Sequence, residues 1–161
     1  MARDVALALP QVAILQRHAG SFYLGSTAPD IRLITGTARE DTHFFDLAHP
    51  STQSGVKGLF LAYPELASAA GLDEASRAFV AGYVSHLLTD EVWISQVYQP
   101  YFASDSPSDS PAITQILDRV LQYELDLRER DPLIMAAVRR AIEGDSAALS
   151  IPFLSRDSLV R

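Results

Sequence analysis

Apolar residues recur at three- and four-residue spacing through residues 79–97, FVAGYVSHLLTDEVWISQV, at Phe79, Tyr83, Leu87, Trp93 and Val97. That period predicts one long helix with a buried stripe. Residues 1–18 place Val5, Leu9, Val12 and Leu15 on one side of a second helix, with a kink at Pro10. Residues 56–70 read as a helix broken at Pro64 and closed by Gly71, after which Asp73 is placed to cap the long helix. Pro100 is expected to stop that helix near Tyr98. Ser110-Pro111 opens a further helix with Ile113, Ile116, Leu117, Val120 and Leu127 on one stripe. Asp131-Pro132 opens another, with Leu133, Ala137 and Ala141, ending at Gly144. No β-alternation and no internal repeat stands out. The expected fold is all-α, a single helical domain over residues 1–161.

Residues 19–56 break the pattern. They hold four Gly, two Pro and many Ser, Thr and Asp, and are expected to be mostly loop with short helical turns. Loops of this length inside a compact domain are usually functional or disordered. Phe22, Tyr23, Ile31, Leu33, Phe44 and Phe45 make this one too apolar for disorder, so it is expected to pack on the helices and carry side chains to a site. Residues 103–110 read as an acidic loop, and the tail IPFLSRDSLVR shows no assignable pattern.

Composition narrows the chemistry. Hydrophobic residues are 48% and charged residues 20% of the 161, a globular balance. Without Cys, any transition-metal site must use His, Asp and Glu. The net charge of -7 disfavours a stable grip on nucleic acid or on an anionic membrane, though a bound metal reverses charge locally. No apolar run approaches the roughly 20 residues of a membrane span. The apolar start MARDVALALPQVAIL is interrupted by Asp4 and Pro10 and lacks a convincing cleavage site. It reads as a helix rather than a signal peptide, which favours a cytoplasmic protein. The helical pattern starts without a cap before Ala2, as it would inside a longer natural helix. Oligomeric state is left open.

On the long helix, His86 and Asp90 are four residues apart and share a face. Beside an apolar stripe they are costly unless they satisfy each other or a third group, and a divalent metal takes both donor types. Asp30, in APDI, and His43, in THF, would complete a shell of two imidazoles and two carboxylates. Zinc fits such a shell, as do manganese, iron and nickel. His18 at a helix end and His49 before Pro50 read as surface residues. Arg32 and Arg39 flank Asp30 and His43; they are solvated charge or a bidentate phosphate clamp. Trp93, one turn past Asp90, is core or a pocket wall, and Glu40 and Asp41 are placed to orient the second nitrogen of His43.

The segments FYLGSTAPDIR, EDTHFF and FVAGYVSHLLTDEVW, in this order over about residues 22–102, resemble the zinc-dependent phospholipase C family, whose helical fold is shared with single-strand-specific zinc nucleases. The resemblance implies that Asp30, His43, His86 and Asp90 gather at one metal site, with Asp90 able to bridge two metals and Asp30 acting as ligand or general base. It implies a metal-activated water attacking a phosphoester, with a small phosphoester or phospholipid as substrate. The family's full site holds three zinc ions and needs an upstream His and a downstream His-His-Glu set. Here His18 is the sole upstream candidate, in a context that does not match, and no His follows His86. Glu91, Glu124 and Asp126 do not replace two imidazoles. The expectation is a reduced member with one zinc, or two. The alternative is a helical metal-binding or interaction protein that keeps one structural metal.

Overall fold

A computed structural model describes residues 13–46, 53–103, 110–145, 149 and 151–152. His49, the predicted kink at Pro10 and most of the tail lie outside those residues. The described residues are overwhelmingly helical and contain no strand.

The organising element is the helix Glu74–Trp93. Asp73 caps it, accepting from the Ser76 backbone N–H at 2.7 Å, as its position before the apolar period predicts. Phe79, Tyr83 and Leu87 are 0% exposed, and each contributes roughly 1.5–3 kcal/mol by burial.

Counted in chain order, α1 is Ala13–Arg17, α2 Ala19–Thr27, α3 Arg32–Thr35, α4 Arg39–His43, α5 Gly55–Ala62, α6 Glu74–Trp93, α7 Pro111–Glu129 and α8 Pro132–Asp145. A 3-10 turn, Ala28–Ile31, joins α2 to α3, and two more, Pro64–Ala67 and Ala69–Gly71, follow α5. Pro64 thus breaks that helix where the sequence placed the break.

The segment 19–56 is not mostly loop. It contributes α2, the 3-10 turn, α3 and α4. The misleading residues were Gly20 and Gly25. A Cβ on Gly25 would stand 2.0 Å from the Phe79 carbonyl oxygen, and one on Gly82 would stand 2.0 Å from that of Phe22. A Cβ on Gly20 would meet the Ala141 oxygen of α8 at 1.9 Å. These glycines serve close helix–helix approach rather than turns, so α2 is pressed between α6 and α8. Asp145 completes the arrangement from α8 by accepting from the Ser21 N–H, in the first turn of α2, at 3.1 Å.

Pro100 does not stop the long helix. After Trp93 the coil widens into a π-helix, Ile94–Ala103, with Pro100 inside it. Proline clashes with the carbonyl four residues back in an α-helix, and a changed hydrogen-bond register is one of the ways a helix carries it. The apolar stripe of α7 is largely uncovered: Ile113, Ile116 and Val120 are each at least half exposed, while Thr114 and Asp118 are buried. The side of α7 that meets the rest of the fold is therefore polar.

Candidate metal centre

Asp30, His43 and His86 converge, with one donor atom from each lying within 4.8 Å of the others. Three elements bring them there. Asp30 sits in the 3-10 turn, half exposed; His43 ends α4, 1% exposed; His86 projects from the middle of α6. Asp90, one turn on, borders the cluster. Its Oδ2 is 3.4 Å from His43 Nε2 and its Oδ1 is 3.9 Å from His86 Nε2. His43 Nε2 lies 3.7 Å from Asp30 Oδ1, and the two imidazoles meet edge to face at 5.3 Å between centroids.

Both rings are locked in one tautomer by their other nitrogen. His86 Nδ1 lies 2.9 Å from the Ser26 carbonyl oxygen, which only accepts, so Nδ1 carries the proton. His43 Nδ1 lies 3.0 Å from the Thr42 hydroxyl. That hydroxyl already donates its hydrogen to the Arg39 carbonyl at 3.2 Å, so it accepts from Nδ1. Each ring therefore turns an Nε2 lone pair into the cluster. His86 Nε2 is buried with no hydrogen-bond partner. An orphaned lone pair in a group of imidazoles and a carboxylate fits a borderline cation such as zinc.

The scaffold holds His43 tightly. The Tyr83 hydroxyl donates to the Thr42 carbonyl. Gly55 and Gly58 let α5 pack on the backbone of the ligand segment, where added Cβ atoms would lie 2.5 Å from the His43 oxygen and 2.3 Å from the Phe44 oxygen. Phe44, immediately after the ligand, has φ +59, a left-handed conformation that a bulky residue adopts only where its surroundings impose it. Glu91 anchors the start of α5 to α6, accepting from the Gly55 N–H at 2.8 Å and the Ser54 hydroxyl at 2.9 Å. Glu91 is thus occupied at a helix N-terminus, where a carboxylate is favoured.

Burial lowers the His43 pKa to about 3, assisted by the charges of Arg39, His86 and Arg32, so the ring is neutral near pH 7. Burial raises Asp90, while His86 and Arg39 pull it back down. Arg39 is paired with that carboxylate through Nη2 and lies over the Phe45 ring at 4.6 Å. Burial lowers the pKa of Arg39.

The cluster opens on a cleft of about 1350 Å³ between the end of α6 and α7, bordered by Asp30, Arg32, Arg39, His43, Asp90 and Trp93. Trp93 forms a wall, its Nε1 donating to buried Asp118 of α7 at 3.0 Å, and Gln122 donates to the other Asp118 oxygen at 2.8 Å. Six of the seven candidate site residues border this cleft, and the seventh, His86, joins them through its cluster with Asp30 and His43.

His18 stands outside the cluster; it lies 3.4 Å from Glu74, which is about 18 Å along α6 from His86 at 1.5 Å per residue. Two expectations change. Thr42, rather than Glu40 or Asp41, is the partner of His43 Nδ1. Arg39 is not simply a free clamp, because it pairs with Asp90. Sequence reasoning also missed Ser26 and Thr42, since a backbone carbonyl and a single hydroxyl carry no spacing signal.

No helix among the described residues is long and apolar enough to cross a membrane. No curated protein and no solved structure matches the chain. The family model of the zinc-dependent phospholipase C does match, over residues 1–93, ending at the residue where α6 gives way to the π-helix. With that match spanning more than half of the 161 residues and covering every member of the Asp/His cluster, the chain belongs to the zinc-dependent phospholipase C family.

Proposed function

We propose that this chain hydrolyses a phosphoester, with a phospholipid or a smaller phosphodiester as substrate, at a metal held by His43, His86 and Asp90, with Asp30 of the same cluster left as the base. The observation that carries the reading is the buried Nε2 of His86, without a hydrogen-bond partner, grouped with His43 and Asp30, which border an open cleft. Zinc bound there supplies an acidified water and neutralises charge on the phosphoryl oxygens. The protein's own residues do the rest. His86 and His43 are held as Nε2 donors by Ser26 and Thr42. Asp30, half exposed on the cleft, is the carboxylate left to take the proton of the attacking water. Trp93 and α7 wall the substrate space.

Asp30 supports this reading over a purely structural metal: structural zinc sites are closed, and this cluster has an exposed carboxylate on a cleft. The test is zinc-dependent release of phosphorylated headgroup from mixed phospholipid micelles, with a soluble phosphodiester in parallel. Turnover lost with a chelator, restored by zinc and absent in His86→Ala supports the reading. A zinc-loaded protein that cleaves neither substrate contradicts it.

A further inference from the structure

Arg39 and Asp90 are placed in competition. One Asp90 oxygen, Oδ2, takes the Arg39 guanidinium and also lies 3.4 Å from His43 Nε2. A cation seated among Asp30, His43 and His86 would draw on the same carboxylate that now neutralises Arg39. The guanidinium is only partly satisfied by this pairing, because its Nη1 is buried without a partner. Arg32 repeats the situation, with a buried Nε that has none. Both side chains border the cleft beside Asp30 and Asp90. Two guanidinium groups with orphaned donors next to one opening repel each other, and an anion that accepts from both relieves the repulsion and the unmade bonds together. A phosphoryl group has the oxygens to do so.

We propose that Arg39 links the two halves of the site, holding Asp90 while the cluster is empty and turning with Arg32 to a phosphoryl oxygen once a metal takes up the charge of Asp90. The proposal rests on the metal reading above and adds a coupling to it. By linkage, metal and phosphate each tighten the binding of the other by the same factor. Arg32, which has no claim on Asp90, binds phosphate without mediating the coupling.

Isothermal titration of inorganic phosphate, with and without stoichiometric zinc, tests this on wild type, Arg39→Gln and Arg32→Gln. Wild type should bind phosphate at least about tenfold more tightly with zinc. Arg39→Gln should hold zinc as well as or better than wild type, since Asp90 is released, and lose most of the tenfold effect. Arg32→Gln should weaken phosphate with and without zinc and keep the ratio. A merely structural Arg39 would not separate the two variants in this way, and Arg39→Lys, which keeps the charge without the fork, should fall between wild type and Arg39→Gln. A soluble phosphodiester run beside inorganic phosphate distinguishes a lipid headgroup from free phosphate as the source. Coupling with either supports the proposal, and absence of coupling with both overturns it. Zinc binding with an unchanged phosphate ratio in Arg39→Gln overturns the coupling alone. Failure of wild type to bind zinc overturns the metal reading and the coupling with it.

Discussion

The Nδ1 proton of His86 is donated to the backbone carbonyl of Ser26, 60 residues earlier in the chain, at 2.9 Å. This bond joins the site to the packing. Ser26 lies one residue past Gly25, and Gly25 is where α2 makes backbone contact with α6. The close approach of the two helices therefore sets the tautomer of a candidate ligand.

Thr42 plays the corresponding part for His43. Replacing it with Val keeps the shape and removes the oxygen that accepts from Nδ1. Loss of such a partner typically weakens metal binding about 10–100-fold. Thr42→Val should show that loss in a competition titration with a zinc chelator, with its helical circular dichroism retained. Unchanged affinity would mean that Thr42 does not orient the ring.

The glycine contacts predict a contrast. Gly82→Ala puts a methyl 2.0 Å from the Phe22 carbonyl oxygen, a backbone atom that cannot swing aside. It should cost roughly 3 kcal/mol, the upper part of the usual overpacking range. Gly144→Ala meets nothing within 4 Å, in the last turn of α8. It should be neutral or stabilising by about 0.5–1 kcal/mol. Thermal unfolding of both variants measures the difference, and equal midpoints would refute the packing account.

These glycines also show where sequence reading succeeds and fails. The α6 period, the Asp73 cap and the four-residue step from His86 to Asp90 are local, and one helix decides them. Asp30 and His43 could be named as candidate donors from residue type, but nothing in their spacing brings them together, and the resemblance to a family is what tied them to the helix pair. Gly20 and Gly25 read as turn signals, but a missing Cβ suits a tight turn and a close helix contact equally, and only the partner helix decides. Likewise the Arg39–Asp90 pair spans 51 residues, and no periodicity announces it.

The buried imidazole makes a prediction about pH in the metal-free protein. The His43 pKa is lowered to about 3 in the folded chain, against about 6.5 when unfolded. Between those values the unfolded state binds the proton and the folded state does not, so stability falls as pH drops from 6.5 towards 3. Asp90, raised by burial, acts in the opposite sense, because its folded form binds the proton more readily. Urea unfolding midpoints of wild type should therefore decline over this window, and the decline should be shallower in His43→Asn. Parallel slopes would show that His43 is not the group responsible.

The central claim is that His86 belongs to a metal site. Elemental analysis of bound zinc, on wild type and His86→Ala purified side by side and incubated with zinc, tests it most directly. The account predicts about one equivalent per chain in wild type, as a single site would hold, and near none in the variant, with both folded. Wild type that takes up no zinc, or a variant that retains the same amount, would contradict it.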